Sequence, residues 1–281
     1  MYSVLIYTWK LKSWAESFNS VQMLGYNLYL AFLRNKEITV FYEDISNTNL
    51  PKCDFVIAIA YGSDKVDFEN IKKKTCALKV GSFRQVKYDC DFNFVFNSDE
   101  MLDKTCILIP PPYNKSLLLN VEKQKKSVLV DHCWKSYLGT EKDLTFQIVD
   151  WLDDKDYFVS RMIRFDDDYD TLRKNVKFIW YTNYLAYLKI TNDFENFVVT
   201  HCDSYPFGVI DMAMRGTRVL SPKGFLPVCM VKDFKINEFS NKSEFFDILA
   251  SSVPNNDFSS VCIDYNEIVL LMNDKFVEWL G

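Results

Sequence analysis

The amino-acid sequence predicts an α/β protein with two doubly wound parallel sheets that follow one another along the chain. Short apolar runs alternate with segments of helical period in the first half, and the alternation begins again after a proline-rich stretch. Strand, helix and strand in this order imply right-handed crossovers and parallel pairing. We therefore expect an N-terminal domain over residues 1–122, a C-terminal domain over 127–265, and a closing helix over 266–281 that packs back on the N-terminal domain.

The first half contains six apolar runs with the length and composition of buried strands. A helix is predicted over 17–36, because Val21, Leu24, Leu28 and Phe32 recur at helical spacing after a start rich in Asn and Ser. The predicted strands cover residues 3–9, 37–44, 53–62, 75–81, 92–98 and 105–112.

The stretch "PPPYNKS" followed by "NVEKQKKS" predicts the linker, because prolines end a strand and a charged segment poor in core residues follows. Beyond it the alternation restarts and continues to the end of the chain. The predicted strands are 127–134, 156–163, 175–182, 196–202 and 217–222, and the predicted helices are 141–154, 183–193, 209–216 and 266–281.

Composition excludes several classes of protein. The chain of 281 residues is 48% hydrophobic, no apolar run approaches eighteen residues, and the start lacks the basic segment and cleavage site of a signal peptide. We expect a soluble, cytoplasmic protein whose eight scattered cysteines are reduced thiols and bind no zinc. The net charge of -5 gives no overall attraction to nucleic acid, although a local basic face remains compatible with it.

The stretch "THCDSYPFGVIDMAMRGTRVLS", residues 200–221, carries the functional signal. A predicted strand leads into a loop with Pro206 and Gly208, and a helix follows, so backbone N–H groups at the helix start can bind a phosphate. Asp203 and Asp211 flank the loop, where carboxylates can accept hydrogen bonds from sugar hydroxyls. The pattern fits a cradle for a nucleotide sugar and equally an ordinary turn with a capping Asp203 and a solvated Asp211.

Within this stretch, "DSYPFGVIDMAMRGTRV" resembles the E-x7-E signature of retaining GT-B glycosyltransferases. Asp203 and Asp211 fall on the two glutamates, one methylene shorter each, and Gly216 and Val219 fall on the closing glycine and valine. Arg218 stands where the family has proline, and these departures are expected to shift which sugar hydroxyls are reached.

The resemblance extends upstream and covers roughly residues 127–220. In "SVLVDHCWKSYLGTEKDLTFQIV", His132 lies near the family's arginine and Lys142 falls on the lysine that holds the donor diphosphate. A few residues, Lys135 among them, are inserted between the two. The family's Gly-Gly loop after the first strand is missing, and "WKLKSWAESFNS" takes its place.

The resemblance implies a GT-B fold, with two Rossmann-like doubly wound domains facing across a cleft. It implies a retaining glycosyltransferase that uses a nucleotide sugar, a UDP-sugar in our interpretation, with neither metal nor cofactor. The implied catalytic residues are Asp203, Lys142 and Lys135, and the implied donor-binding residues are Asp211, Tyr205, Phe207, Gly208, Val209, His132 and His201.

For the acceptor, composition and size resemble the small DNA glycosyltransferases of T-even phages. That resemblance implies modification of hydroxymethylcytosine, or of a sugar already on it, in double-stranded DNA, and we expect a monomer. Lys12 and Arg84 near predicted strand ends can follow a phosphate backbone, and Trp14 can stack on an extruded base. Solvated basic side chains and a core aromatic fit these three residues equally well. Two alternatives stay open: a transferase that builds surface polysaccharide or glycolipid, and an inactive protein that only binds nucleotide sugars.

The segment "RFDDDYD", residues 164–170, offers a rival hypothesis, since a D-x-D motif can hold a divalent metal against a diphosphate. Its position after the second sheet has begun, and its continuation into "TLRKN", favour a solvated loop or helix start. His132 and His201 are the only histidines, too few for a metal cluster.

Overall fold

The protein, described here from a computed structural model, consists of two compact units. Met1–Leu117 and Ser259–Gly281 form the first unit, and Leu118–Phe258 form the second. The first division falls inside the predicted linker, and the second precedes the predicted boundary at residue 265. The structure describes residues 1–13, 20–61, 66, 71, 74–80, 88–115, 122–131, 140–153, 155–163, 176–180, 183–200, 207–253, 258 and 260–280.

The first unit contains a six-stranded parallel sheet. Its strands are β1 (Tyr2–Thr8), β2 (Ile38–Asp44), β3 (Phe55–Tyr61), β4 (Lys74–Val80), β5 (Phe92–Val95) and β6 (Cys106–Leu108). They lie in the order β2-β1-β3-β4-β5-β6, so the direction of winding reverses between β1 and β3. All six predicted strands of the first half are present, with ends that differ by a few residues.

Helices and a small second sheet complete the first unit. Helix α1 (Ser20–Leu33) packs against α7 (Tyr265–Leu280), and β7 (Pro112–Tyr113) pairs with β14 (Ile263–Asp264). The ring of Phe276 on α7 stacks on Phe55 at 4.5 Å between centroids. A 3-10 turn covers Ser98–Glu100. The closing segment therefore belongs to the first unit from β14 onward, because its strand and its aromatic face both bury against that unit.

Close packing of α1 on β1 depends on Gly25. A Cβ added there would lie 2.6 Å from Cγ2 of Thr8, far inside van der Waals contact. Thr8 is fully buried and its hydroxyl donates to the Ile59 carbonyl oxygen at 2.9 Å, so the side chain is not free to turn away. The glycine therefore sets how near the helix lies to the carboxyl end of β1.

We expect Gly25→Ala to lower the free energy of unfolding by roughly 1–3 kcal/mol, because the added methyl overfills this contact. Urea unfolding followed by circular dichroism measures the change. The double variant Gly25→Ala/Thr8→Ser removes the clashing Cγ2 but keeps the hydroxyl, and it should recover most of the loss. An undiminished loss in the double variant contradicts the proposed origin.

The second unit contains another six-stranded parallel sheet. Its strands are β8 (Gln124–Val130), β9 (Phe158–Ile163), β10 (Val176–Trp180), β11 (Phe194–Val198), β12 (Arg218–Pro222) and β13 (Asn237–Phe239). They lie in the order β10-β9-β8-β11-β12-β13, the arrangement of a Rossmann-type sheet with its switch point between β8 and β11.

The helices of the second unit are α2 (Thr140–Asp153), α3 (Tyr184–Thr191), α4 (Phe207–Met214), α5 (Val228–Asp233) and α6 (Lys242–Ala250). Side chains from α2 and α6 close one core over the sheet, with Ile148, Leu152 and Phe245 fully buried. Asparagine side chains cap α3 and α6, since Asn183 accepts from the Ala186 N–H at 2.9 Å and Asn241 from the Glu244 N–H at 3.0 Å.

The α/β class is confirmed, while the region from 223 to 262 shows elements that the sequence analysis did not predict. These are α5, β13, α6 and, just beyond them, β14. Each is short, and exposed polar residues interrupt its apolar pattern. Across the described residues, no helix is long and apolar enough to span a bilayer. Six described cysteines are free thiols: Cys53, Cys76, Cys90, Cys106, Cys229 and Cys262.

Candidate functional site

The switch point of the second sheet brings the two segments of the sequence signature together. The Asp131 N–H donates to the Val198 carbonyl oxygen at 3.0 Å, and the Thr200 hydroxyl donates to the Asp131 carbonyl oxygen at 3.4 Å. The chain therefore leaves β8 and β11 side by side, at the starts of 132–139 and 201–206. Ligands of open α/β sheets bind outside the carboxyl ends of the strands at such a point.

Helix α4 starts next to this point, at Phe207 rather than at the predicted residue 209. Phe207 is 5% exposed and Val209 1% exposed, so apolar packing fixes the first turn in the core. The first amides of a helix have no acceptor within the helix, and the helix dipole makes this end positive. The predicted anion-binding amides of residues 207–209 thus belong to a firmly packed helix start.

Asp211 lies one turn further along α4 and is buried, with 5% of its surface exposed. The Tyr184 hydroxyl, from the first residue of α3, lies 3.2 Å from Oδ1 and 3.3 Å from Oδ2 of the carboxylate. The alternative of a solvated Asp211 is therefore wrong. The carboxylate lies in the packed contact of two helices that both start at the carboxyl edge of the sheet.

Burial raises the pKa of the Asp211 carboxyl from its ordinary value to about 6, although Arg215 and the Tyr184 hydroxyl both act to lower it. The Arg215 guanidinium donates to the main-chain oxygens of Asp211 and Leu188 and to the Thr191 hydroxyl, at 2.8, 3.0 and 2.9 Å. Among the described residues, the carboxylate accepts a hydrogen bond from Tyr184 alone. A buried carboxylate with one neutral donor costs stability and retains capacity for further donors.

Comparison with solved structures identifies the architecture. No family model and no curated protein matches the sequence. The fold of AviGT4, a glycosyltransferase involved in avilamycin A biosynthesis, covers 100% of this chain and 98% of its own, at 11% identity and a TM-score of 0.65. Sucrose-phosphate synthase from Thermosynechococcus elongatus covers 100% and 99%, at 12% identity and a TM-score of 0.68.

The chain has the GT-B fold.

A UDP-GlcNAc 2-epimerase from Neisseria meningitidis, bound to UDP-GlcNAc, shares the GT-B architecture with a TM-score of 0.63 at 10% identity, covering 98% of this chain and 100% of that one. The predicted fold class, two Rossmann-like domains, is thereby confirmed. The match to both kinds of enzyme means that the GT-B fold by itself leaves open which reaction is performed.

Arg218, which stands where the E-x7-E signature has proline, performs a structural task in this GT-B chain. It is the first residue of β12 and therefore lies at the amino edge of the sheet, opposite the candidate site. Its guanidinium donates to Asn196 Oδ1 at 2.8 Å and to the Ile248 carbonyl oxygen, at the end of α6, at 2.6 Å. The expectation that this substitution alters sugar contacts is wrong, because the side chain anchors α6.

Gly208 is the second residue of α4, so a glycine lies in the first turn of this helix. A Cβ built on it would lie 3.7 Å from the Tyr187 hydroxyl oxygen, an ordinary contact distance. Within the described part of the chain, no packing contact requires glycine there. A helix position that favours a larger residue and yet carries glycine fits close approach of a ligand to the backbone.

Several predicted residues lie outside the described part of the structure. They are Asp203, Lys135, Tyr205, His132 and His201 of the donor set, Trp14 and Arg84 of the acceptor set, and the rival segment 164–170. The backbone of Lys142 lies in the first turn of α2. Lys12 is exposed on the segment that follows β1, where the preceding N–H groups of Lys10 and Leu11 donate to Asp44 and Tyr42 of β2.

Sequence reasoning missed Tyr184. The signal was present: Asn183 is a strong N-cap after an apolar strand, so the next residue had to lie at a helix start on the carboxyl edge of the sheet. What the sequence does not show is that this residue reaches Asp211, 27 positions away.

Proposed function

We propose that this protein is a retaining glycosyltransferase that uses a UDP-sugar as donor. The observation that carries the proposal is the buried Asp211 carboxylate near the start of α4, the helix that follows β11, one of the two strands at the switch point. The GT-B fold supports it, and so does the UDP-GlcNAc bound to the epimerase from Neisseria meningitidis. The sequence resemblance to the E-x7-E signature supplies the reaction type.

In this proposal the amides of Phe207–Val209 and the positive end of α4 hold the donor diphosphate. Asp211 accepts hydrogen bonds from the ribose hydroxyls, while Asp203 faces the transferred sugar. Lys142, in the first turn of α2, adds a positive charge beside the phosphates. These groups stabilise charge that develops on the leaving diphosphate, which is the main catalytic contribution in such a site.

The proposed transfer reaction requires neither a metal ion nor a general base from the protein. The bond from the anomeric carbon to the diphosphate oxygen breaks, and the acceptor oxygen bonds to the same face of that carbon. The leaving phosphate oxygen takes the proton of the acceptor hydroxyl. UDP and the glycosylated acceptor are the products, with the anomeric configuration retained.

The acceptor that we propose is the hydroxymethyl group of hydroxymethylcytosine, or a sugar on it, in double-stranded DNA. Its support is the composition of the chain, together with Lys12 exposed beyond the carboxyl end of β1, where a phosphate backbone would meet a cation. Polysaccharide and glycolipid acceptors are the competing outcome of the test below.

The deciding experiment incubates the protein with a panel of UDP- and GDP-sugars, alone and with hydroxymethylated DNA, unmodified DNA or oligosaccharides, both free and lipid-linked. Transfer that requires the hydroxymethyl group supports the whole proposal, and transfer only to oligosaccharides overturns the DNA acceptor. Inversion at C2 of UDP-GlcNAc without any acceptor identifies an epimerase and overturns the transferase. Binding without turnover identifies an inactive nucleotide-sugar protein.

We expect Gly208→Ala to weaken UDP binding by roughly tenfold or more, because a methyl group in the first turn of α4 obstructs the approach of the diphosphate. The fold should be retained, since alanine is about 1 kcal/mol better than glycine in a helix and meets only an ordinary contact with Tyr187. Isothermal titration with UDP and a thermal melt measure the two effects. Full affinity in a well-folded variant contradicts backbone capture of the phosphates at this turn.

A further inference from the structure

The side chain of Tyr184 is held in place independently of Asp211. Its residue follows directly on the Asn183 cap, which accepts from the Ala186 N–H at 2.9 Å. Its ring stacks on Tyr187, with centroids 5.9 Å apart and planes 21° apart, and Tyr184 is 3% exposed. The hydroxyl therefore reaches α4 from a ring that the start of α3 has already oriented.

The hydroxyl lies almost equally far from the two oxygens of Asp211, at 3.2 and 3.3 Å. A tyrosine has one hydrogen to donate, whereas a carboxylate has about four acceptor positions. Sharing one hydrogen between both oxygens leaves each oxygen able to accept another donor. That remaining capacity, one bond per oxygen, matches a vicinal diol such as the 2′- and 3′-hydroxyls of a ribose.

We propose that Tyr184 is a positioning residue of the donor site: its hydroxyl fixes the orientation of the Asp211 carboxylate so that both oxygens can accept the ribose hydroxyls of a UDP-sugar. This inference rests on the proposed function. An aspartate is one methylene shorter than the glutamate of the family signature, so its oxygens have less reach and a fixed orientation matters more. Tyr184 supplies that orientation from a second helix.

The charged and titratable groups around the carboxylate define a test that depends on pH. Among the described residues, Tyr184 faces the Asp211 carboxylate from α3, and Arg215 acts on it from α4. Lys123 interacts with Arg215 and not directly with Asp211. Burial raises the pKa of Asp211 to about 6, and the Tyr184 hydroxyl counteracts this shift. Loss of the hydroxyl should therefore move the pKa of Asp211 further upward. If Tyr184 only supported the fold, the pH dependence of donor binding would stay unchanged.

The experiment measures the affinity for UDP-glucose from about pH 5 to about pH 8 in the wild type, Tyr184→Phe, Tyr157→Phe and Asp211→Asn. A UDP-sugar is used because its diphosphate has no proton to lose in this range. Tyr184→Phe should bind roughly 5- to 20-fold more weakly at neutral pH, and the pH at which affinity is lost should move upward. Tyr157→Phe, which loses a hydroxyl just before β9 at the opposite edge of the sheet, beside Phe246, should keep the wild-type affinity and midpoint.

The outcomes separate this inference from the function on which it rests. If UDP-glucose and UDP both fail to bind the wild type, the proposed function falls and the inference with it. If Asp211→Asn weakens binding while Tyr184→Phe keeps the wild-type affinity and midpoint, the donor site stands and the role of Tyr184 is overturned. A Tyr184→Phe variant that binds weakly at every pH with an unmoved midpoint also overturns it, because the effect is then one of packing.

Discussion

Lys142→Ala is expected to lower turnover by about 100-fold or more while the fold stays intact, because the variant loses a cation where negative charge develops on the leaving diphosphate. The residue lies in the first turn of α2, which follows the segment that leaves β8 at the switch point. Affinity for UDP should fall less than turnover, since the diphosphate gains charge only as the glycosidic bond breaks. Steady-state kinetics and titration with UDP measure the two quantities.

Lys155 offers a matched control for this prediction. It is exposed and follows the other end of α2, with its ammonium 5.6 Å from the centre of the Phe246 ring. Lys155→Ala removes the same charge from the same part of the chain and should leave kcat unchanged. Wild-type turnover in Lys142→Ala, or an equal loss of turnover in both variants, would show that Lys142 does not act on the donor phosphates.

The fold was largely readable from the sequence because buried parallel strands are continuous apolar runs. β1 and β3 are of this kind, and the alternation of strands and helices along the chain predicts right-handed crossovers. The region of α5, β13 and α6 was not readable. The strand β13 has three residues and the helix α5 has six, which is too short for the alternation of a strand or the 3.6-residue period of a helix to be recognised. Tertiary contacts decide the conformation of such short segments.

The site was readable only in part, for a physical reason. The positions of the helix start and of Asp211 follow from local order along the chain. The burial of Asp211 does not, because it arises where α3 packs against α4 and joins residues 27 positions apart. Arg218 shows the same limit, since its partner at Ile248 lies 30 positions further along the chain.

Asp211→Asn is expected to make the protein more resistant to unfolding at neutral pH and weaker in donor binding. The folded-state pKa of Asp211, about 6, lies above the ordinary value of 3.8. The folded state therefore holds the proton more tightly than the unfolded state does. This contribution to stability is fully present below about pH 4 and is lost as pH rises through about 6. Asparagine carries no charge and escapes that loss.

The size of the effect follows from the shift. A pKa difference of about two units corresponds to about 3 kcal/mol, so the stability of Asp211→Asn relative to wild type should rise by about that amount between pH 4 and pH 7. Urea unfolding of both proteins across this range measures the divergence. Parallel pH profiles would mean that the carboxylate is not strained by burial in the free protein.

Donor binding should change in the opposite sense. A carboxylate that accepts the ribose hydroxyls makes charge-assisted hydrogen bonds of about 1.5–3 kcal/mol each, and their loss in Asp211→Asn should lower UDP-glucose affinity by roughly one to two decades. A pH dependence of binding that persists in Asp211→Asn belongs to groups other than Asp211. If Asp211→Asn is more stable but binds the donor more weakly, then Asp211 lowers the stability of the protein and serves donor binding. Unchanged affinity for UDP-glucose in a stabilised Asp211→Asn would show that the ribose is bound elsewhere.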